Sequence, residues 1–256
     1  MTQADAVEQA RALVDRAERI VVLTGAGIST DSGIPDFRGP NGVWTKNPAA
    51  EKQATLQNYL SSTEVRRERW QALLDSPLRD KEPNLGHRAL VRLEQRDKLH
   101  TLITQNVDGL HQKAGTSPAR VVEIHGTIQE VNCLECGERA PMERALDRVR
   151  AGEEDPPCRS CGGILKSATI SFGQQLVARD LMRADDAARS CDLMLAIGTT
   201  LAVYPAAAVV PAAKQAGAAV VIVNAEPTDM DHLADVVVRA SIADVLPRIV
   251  GADADG

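Results

Sequence analysis

Short apolar runs alternate with stretches of helical periodicity along most of the chain. The apolar runs are typical of buried strands and cover residues 19–24, 99–104, 120–124, 192–197, 218–223 and 235–239. Apolar residues that recur every three or four positions predict helices over residues 4–18, 64–74, 84–95, 178–189, 206–216 and 242–250. This alternation predicts an α/β fold, in which a parallel sheet is covered by helices on both faces.

Two segments interrupt the alternation. Proline, glycine and asparagine break up residues 36–82, so we expect a helical excursion from the sheet there, with a helix near 64–74. Residues 127–166 hold four of the five cysteines, two consecutive prolines and several glycines, which predicts a small inserted domain. The main domain is therefore expected to comprise residues 1–35, 83–126 and 167–256.

The composition limits the class of protein. The chain has 256 residues, 44 % of them hydrophobic, which is enough for a full core. Its net charge of −6 disfavours a general nucleic-acid surface, and no apolar run is long enough to predict a membrane span. The charged N-terminus does not have the pattern of a secretory signal, so the cysteines are expected in a reducing compartment. We expect a cytoplasmic protein with no nucleic-acid or membrane partner.

Polar or glycine-bearing clusters follow the predicted strands. They occupy residues 25–30, 105–108, 125–126, 198–200 and 224–226. Ligands of open parallel sheets bind beyond the carboxyl ends of the strands. The clusters therefore predict one shared ligand site at that edge of the sheet.

The glycine loop at 25–30 reads Gly-Ala-Gly-Ile-Ser-Thr and joins the first strand to the expected start of a helix. Its glycines let backbone N–H groups approach a pyrophosphate, but Thr30 stands where a dinucleotide fingerprint has its third glycine. By itself the loop fits a tight turn without a ligand equally well. The segment 32–39 that follows favours a ligand, because Asp36, Phe37 and Arg38 are suited to gripping a charged, planar group.

The cysteines form two Cys-x-x-Cys pairs, Cys133 with Cys136 and Cys158 with Cys161, and each pair is followed by glycine. Four thiolates at this spacing are typical of a tetrahedral structural zinc site with no open position. Buried free thiols and a redox pair are the alternatives. Cys191 is left over and is expected to pack as a small hydrophobic residue at the start of a strand.

His125 follows an apolar strand directly, at a place suited to a general base. A buried histidine with only a packing role is the alternative. Asn106 and Asp108 also follow a strand, where they could make turn hydrogen bonds only. His87, His100, His111 and His232 have weaker contexts, although His111 could support Asp108.

Together these segments resemble the sirtuin family, the NAD-dependent protein deacylases, and a bacterial member is expected. The similarity extends from Val22 to about Pro247. It rests on the residues of 25–39, 104–111, 125–126, the four cysteines, 172–173, 198–205 and 224–226.

The resemblance implies a large Rossmann-like domain, a small zinc domain with one structural Zn²⁺, and an active site between them that consumes NAD as a co-substrate. The pyrophosphate and the nicotinamide side would be held by Gly25, Ala26, Gly27, Ser29, Thr30, Asp36, Phe37, Arg38 and Trp44. The nicotinamide pocket would be lined by Gln105, Asn106 and Asp108. The adenosine half would be held by Gly198, Thr199, Thr200, Asn224, Ala225, Glu226 and Ile242.

The resemblance also implies the reaction, with His125 and Asn106 as the catalytic residues. The acyl oxygen of an acyl-lysine attacks C1′ of the nicotinamide ribose, and nicotinamide leaves. His125 then removes a ribose hydroxyl proton, and the acyl group moves to the ribose. The products are free lysine, nicotinamide and O-acyl-ADP-ribose. The absence of a third glycine fits this cleavage better than hydride transfer.

Residues 167–174 depart from the family pattern. The usual Pro-Asp-Val-Val-x-Phe-Gly-Glu reads here Ser-Ala-Thr-Ile-Ser-Phe-Gly-Gln. This stretch pairs with the substrate peptide in the family, and backbone pairing tolerates such changes. In addition, Trp70 and Leu73 stand where desuccinylase-like members have a tyrosine and an arginine, which favours a neutral acyl group.

Two other functions compete with the deacylase. A protein mono-ADP-ribosyltransferase on the same fold would pass ADP-ribose to a protein side chain. A non-enzymatic scaffold would bind NAD or a peptide without turnover, but the presence of both His125 and Asn106 disfavours it. The sequence does not name the protein substrate or the oligomeric state.

Overall fold

The structure is a computed structural model and describes residues 2–36, 39, 42–47 and 55–251. Its main sheet has six parallel strands in the order β3-β2-β1-β7-β8-β9. A second sheet has three antiparallel strands in the order β5-β4-β6. The strands are β1 Ile20–Thr24, β2 Leu99–Thr104, β3 Val121–Glu123, β4 Gly126–Cys133, β5 Arg139–Pro141, β6 Leu165–Thr169, β7 Leu193–Ile197, β8 Ala219–Val223 and β9 Val236–Val238.

Ten α-helices lie in the described ranges. They are α1 Gln3–Arg16, α2 Val43–Lys46, α3 Leu56–Ser61, α4 Thr63–Leu74, α5 Leu85–Gln95, α6 Leu110–Ala114, α7 Met142–Arg150, α8 Ala178–Ser190, α9 Val209–Gln215 and α10 Ile242–Val250. In the part of the chain described, no helix has the length and apolar character needed to cross a membrane.

Helices cover both faces of the main sheet, which confirms the predicted fold class. Apolar side chains of α1, α5 and α10 pack on one face, and those of α8 and α9 pack on the other. The strands are buried throughout at β1 and β7, in the middle of the sheet. This double burial is the reason why the central strands read as continuous apolar runs rather than alternating ones.

A third core joins the two predicted interruptions of the sheet. Trp70 of α4 belongs to one buried cluster with Met142 and Leu146 of α7 and with Cys133 and Cys158. Segments from 36–82 and 127–166 therefore share one small core, to which the three-stranded sheet contributes Val131 and Leu165. The division of the chain into 1–35, 36–82, 83–126, 127–166 and 167–256 stays a prediction.

Three local expectations are wrong. The glycine loop leads into a 3₁₀ helix, Ala26–Ser32, where an α-helix was expected to start. The helix predicted over 206–216 begins as a 3₁₀ turn, and α9 starts only at Val209. Cys191 ends α8, two residues before β7, although it is buried as expected. In each case hydrogen bonds at the ends of elements decide the boundary, and apolar periodicity does not report them.

Candidate active site and metal centre

A cleft of about 980 Å³ opens at the carboxyl ends of β1, β2, β7 and β8. Its far wall is formed by α4, β6 and the residues that follow β6. Most of the predicted site residues line it: Gly25, Ala26, Gly27, Thr30, Asp36, Gln105, Asn106, His125, Gly198, Thr199, Thr200, Asn224, Ala225, Glu226 and Ile242. The structure thus brings together residues as far apart in the chain as Gly25 and Ile242.

Five of the predicted NAD contacts are not among the residues that line the cleft in the described part of the chain. Phe37, Arg38 and the side chain of Trp44 lie outside the described residues. Ser29 and Asp108 lie behind the cleft wall, at 1 % and 7 % exposure. Asp36 reaches the cleft and accepts a hydrogen bond from the N–H of Gly39 at 3.0 Å.

The glycine loop is packed back to back with the loop that follows β7. The N–H of Gly25 donates to the carbonyl of Ile197 at 3.0 Å, and the N–H of Gly27 donates to the carbonyl of Gly198 at 2.9 Å. Gly198 has a φ of +63°, and a Cβ there would lie 2.5 Å from the backbone nitrogen of Ile28. Gly25, Gly27 and Gly198 therefore have no room for a Cβ, and their backbone atoms form this part of the cleft wall.

We expect Gly198→Ala to weaken NAD binding by about tenfold or more, because the left-handed conformation costs an L-residue about 1–2 kcal/mol and the Cβ displaces the glycine loop. Titration calorimetry with NAD measures this effect. Gly217→Ala is the matched control, since Gly217 also has a positive φ but nothing within 4 Å of its Cβ position. Equal NAD affinity in the two variants would contradict the role of this packing.

Hydrogen bonds from both its side chain and its backbone hold Asn106 in place. Its Nδ2 donates to the carbonyl of Gly25 and to Ser29 Oγ, each at 3.1 Å, while its N–H donates to Thr104 Oγ1 at 3.1 Å. Ser29 Oγ in turn donates to Asp108 Oδ2 at 2.8 Å. Ser29 and Asp108 therefore fix the orientation of Asn106 from behind, where burial raises the pKa of Asp108.

His87 and His111 lie behind the same network, with ring centroids 4.9 Å apart. His111 Nε2 lies 3.0 Å from Thr24 Oγ1, which donates to Thr104 Oγ1 at 2.9 Å. Burial lowers the pKa of His87 to about 4 and holds that of His111 well below its ordinary value. Both rings are therefore neutral at neutral pH and support the site as packed donors and acceptors. The sequence pattern did not predict a role for His87. The signal that could have indicated one is its position three residues after Asn84, where it completes the capping box of α5.

His125 lies between β3 and β4 and lines the cleft. Its Nδ1 is 3.1 Å from the carbonyl of Gln105, an acceptor, so Nδ1 carries the proton and Nε2 keeps its lone pair. Burial lowers the pKa of His125, and the hydrogen bond to Gln105 opposes this only in part. The ring is therefore neutral at neutral pH, as a general base requires.

Gln105 connects the two halves of the cleft. Its backbone carbonyl orients His125, and its side-chain Nε2 donates to Thr199 Oγ1 at 2.9 Å. Thr199 belongs to the polar end of the cleft that also includes Thr200 and Glu226. At that end, Asn224 Nδ2 donates to the carbonyl of Glu226 at 2.7 Å, which closes the loop after β8.

The far wall contains residues that sequence reasoning did not assign. Tyr59, Arg69 and Lys166 line the cleft, together with residues 169–174. Tyr59 donates from its hydroxyl to the carbonyl of Leu165 at 2.7 Å, and burial raises its pKa. No pattern along the chain predicts these residues, because each becomes part of the cleft only where the small core packs against β6.

The four predicted metal ligands converge on one point. The sulfurs of Cys133, Cys136, Cys158 and Cys161 all lie within 4.8 Å of one another. Two of the Sγ···Sγ distances are 3.5 Å and 3.8 Å, between Cys133 and Cys161 and between Cys136 and Cys158. Tetrahedral zinc with Zn–S bonds of about 2.3 Å places sulfurs about 3.8 Å apart, whereas a disulfide needs about 2.05 Å. Four cysteine sulfurs at these distances fit a tetrahedral zinc site.

The backbone around the cysteines also fits a metal. Cys136 N–H points to Cys133 Sγ at 3.5 Å, and Gly163 N–H points to Cys161 Sγ at 3.4 Å. Such hydrogen bonds stabilise thiolates. Among the described residues lining the cleft there is no cysteine, so bound zinc would hold the small core together and would not take part in the reaction.

A six-stranded parallel sheet covered by helices on both faces, with a glycine loop at the carboxyl end of β1, places this protein in the class of Rossmann-like dinucleotide-binding proteins. The model of the Sir2 family matches residues 25–205. The chain is 48 % identical over 231 residues to NAD-dependent protein deacetylase 2 of Streptomyces coelicolor, covering 90 % of this chain and 96 % of that protein. The chain therefore belongs to the Sir2 family.

Two solved structures are also similar. One is of Sir2 with a p53 peptide and NAD⁺, with a TM-score of 0.83, 30 % identity and 98 % of each chain covered. The other is of a Sir2 variant with a deacetylated p53 peptide and 3′-O-acetyl-ADP-ribose, with a TM-score of 0.85, 30 % identity, and 96 % of this chain and 98 % of that chain covered. The predicted family and fold are confirmed.

Proposed function

We propose that this protein is an NAD-dependent protein lysine deacylase, which transfers the acyl group of lysine to ADP-ribose and releases nicotinamide. The observation that carries the proposal is a neutral His125, with Nδ1 bound to a carbonyl and Nε2 free to accept a proton, in the same cleft as the glycine loop. The named activity of the Streptomyces coelicolor relative supports deacetylation.

Different residues along the cleft suit different parts of the NAD molecule. The glycine loop at 25–27 suits close approach of the pyrophosphate, because Gly25 and Gly27 have no side chain, and residues 198–200, 224–226 and Ile242 suit the adenosine half. Asn106, oriented by Ser29, is placed for the nicotinamide end. His125 Nε2 then takes the ribose hydroxyl proton, since Gln105 fixes its tautomer. No nucleophile from the protein is needed, because positioning and exclusion of water drive such a cleavage.

We propose a neutral acyl group, acetyl or a longer apolar chain, on the substrate lysine. Trp70 is buried in the small core at 1 % exposure, and Leu73 lines the cleft, so neither of these two positions offers a partner for a carboxylate. Arg69, the residue before Trp70, does line the cleft and is positively charged. A succinyl peptide is therefore the informative comparison in a panel of acyl peptides.

We expect nicotinamide release to depend on an acylated peptide, with acetyl preferred over succinyl by about tenfold or more, since neither Trp70 nor Leu73 can pair with a carboxylate that is buried beside them. Release from NAD is measured with acetyl, butyryl, succinyl and unmodified versions of one lysine peptide, and O-acyl-ADP-ribose is identified by mass. Release without acyl peptide, together with ADP-ribose on protein, would instead support the mono-ADP-ribosyltransferase.

We also propose a cytoplasmic location. It is supported by the five cysteines, none of which is in a disulfide among the described residues. Acyl-lysine segments of proteins are the proposed partners.

A further inference from the structure

The segment 167–174, which comprises the end of β6 and the residues after it, lacks a proline that restricts the backbone in the usual family pattern. Residues 167–174 form part of the cleft wall, where the family pattern places the substrate peptide. That pattern begins with proline at the position of Ser167 and has valine at the position of Thr169. A proline fixes φ near −65° and so limits the freedom of the chain. Serine at 167 does not, and another constraint is needed to keep the segment extended.

Lys166 supplies contacts to both of these residues. It is buried at 4 % exposure, and its Nζ donates to the carbonyls of Ser167 and Thr169 at 3.2 Å and 2.5 Å and to Thr169 Oγ1 at 3.4 Å. The hydroxyls of Ser167 and Thr169 are themselves 2.9 Å apart. We name this cluster the Lys166 bridge. Its two carbonyl acceptors would also exist in the usual sequence, whereas the contact of Lys166 with Thr169 Oγ1 and the Ser167–Thr169 hydroxyl pair need side chains that proline and valine lack.

The backbone that the Lys166 bridge holds is in contact with the catalytic loop. Thr169 pairs with Gly126, and the N–H of Ile170 donates to the carbonyl of His125 at 2.8 Å. Two residues further on, the carbonyl of Phe172 accepts from the N–H of Leu56 at 3.0 Å. A shift at Thr169 therefore moves both the peptide-binding segment and the main chain of His125.

Burying the charged amine of Lys166 costs free energy, so hydrogen bonds of the bridge are needed to offset it. Burial lowers the pKa of Lys166 to about 8, with the charge of Arg69 as a second cause. A buried amine is tolerated only when hydrogen bonds satisfy it, and the acceptors it uses here lie on residues one and three positions further along its own chain. Its contacts are thus local, as expected of a residue that shapes the strand leading into the cleft.

We propose that Lys166 is a positioning residue for the deacylation reaction: through Ser167 and Thr169 it replaces the missing proline and holds residues 169–174 in the conformation that pairs with the acyl-peptide. The inference rests on the proposed function, because it assigns the peptide to this wall. It predicts an effect on peptide recognition and on the neighbouring backbone, with NAD recognition left intact.

Lys166→Met removes the three hydrogen bonds and keeps a long side chain. We expect the KM for an acetyl-lysine peptide to rise about tenfold, the size of one lost charged hydrogen bond, while the KM for NAD changes less than about twofold. The amide of Ile170 should exchange its hydrogen about tenfold faster. Lys166→Arg, which keeps charged donors, should restore the peptide KM to within about threefold of the wild-type value.

Lys98→Met is the matched control. Lys98 Nζ also donates to two backbone carbonyls, those of Asp15 and Ala17 at 2.9 Å and 2.6 Å, but it does not line the cleft. We expect it to lower the melting temperature without changing the peptide KM. Should Lys166→Met not fold, Thr169→Val removes one acceptor of the bridge and should raise the peptide KM about threefold.

The proposal is overturned if the peptide KM and the hydrogen exchange of the Ile170 amide in Lys166→Met match those of Lys98→Met. It is also overturned if Lys166→Arg is as impaired as Lys166→Met, since packing volume would then explain the effect. If the wild-type protein releases no nicotinamide with any acyl peptide, the deacylase proposal fails, whereas hydrogen exchange of Ile170 still decides whether the bridge holds this segment.

Discussion

His125→Ala is expected to lower kcat/KM for an acetyl-lysine peptide by about 10³-fold, because a positioned general base contributes about 10² to 10⁴ in rate. The structure gives this residue its role through one hydrogen bond: the carbonyl of Gln105 binds Nδ1, so Nε2 faces the reaction with a free lone pair. The measurement is steady-state nicotinamide release, with NAD binding followed by calorimetry to show that the site remains intact.

The pH dependence gives a second readout of the same residue. Burial lowers the pKa of His125 below its ordinary value of 6.5, so the base stays neutral until the pH falls below that value. We therefore expect the acid limb of kcat/KM to lie below pH 6.5 in the wild-type enzyme and to disappear in His125→Ala.

His232→Ala is a suitable control for both measurements. His232 is exposed and does not line the cleft, so its loss should leave rate and pH profile unchanged. Activity of His125→Ala within about tenfold of the wild-type value would mean that another group removes the proton.

Loss of the zinc site is expected to have the second large effect, on the stability of the protein. Cys158→Ser is expected to abolish zinc binding and to unfold the small core, because Cys133 and Cys158 are buried in the same cluster as Trp70 and Met142. In zinc-dependent peptides the binding free energy, about 10–16 kcal/mol, is itself folding free energy. We expect about one zinc per chain in the native protein, none in the variant, and a melting temperature lower by on the order of 10 °C.

Trp70 offers a direct probe of this unfolding. The chain has two tryptophans, Trp44 and Trp70, so a Trp44→Phe background leaves Trp70 as the only fluorescent indole. Its emission should shift to the red in Cys158→Ser or on treatment with a strong chelator, as the buried indole meets water. Cys191→Ser is the control, since Cys191 lies outside the cluster and donates to the carbonyl of Ala188, which serine can also do. A native folded protein without zinc would refute the metal assignment.

Much of the architecture was predictable because it depends on local pattern. The apolar runs at β1 and β7 and the periodicity of α5 and α10 are strong signals, and their positions are confirmed within one or two residues. The 3₁₀ helix after the glycine loop was not predictable, since it depends on the contact of Gly27 with Gly198, 171 positions away. Apolar periodicity carries no information about such a contact.

The candidate site was predictable in its members and less so in their arrangement. The glycine loop, Asn106, His125 and the residues after β7 and β8 all reach one cleft, as their places after parallel strands indicated. Ser29 and Asp108 also follow parallel strands, yet they lie behind the cleft wall, where Ser29 binds Asn106 and Asp108 binds Ser29. Their position in a turn does not distinguish contact with a ligand from support of a neighbour.

The sequence by itself determined the fold class, the family resemblance and the four cysteines of the metal centre, because these depend on spacing along the chain and on residue type. Only the tertiary structure decided which side chains are neutral, which tautomer His125 adopts and which atoms of Ser167 and Thr169 the buried Lys166 contacts. The physical reason is that protonation and orientation depend on burial and hydrogen-bond partners, and those partners come from other strands. The carbonyl that orients His125 lies twenty residues earlier in the chain and is brought to it by the pairing of β2 with β3.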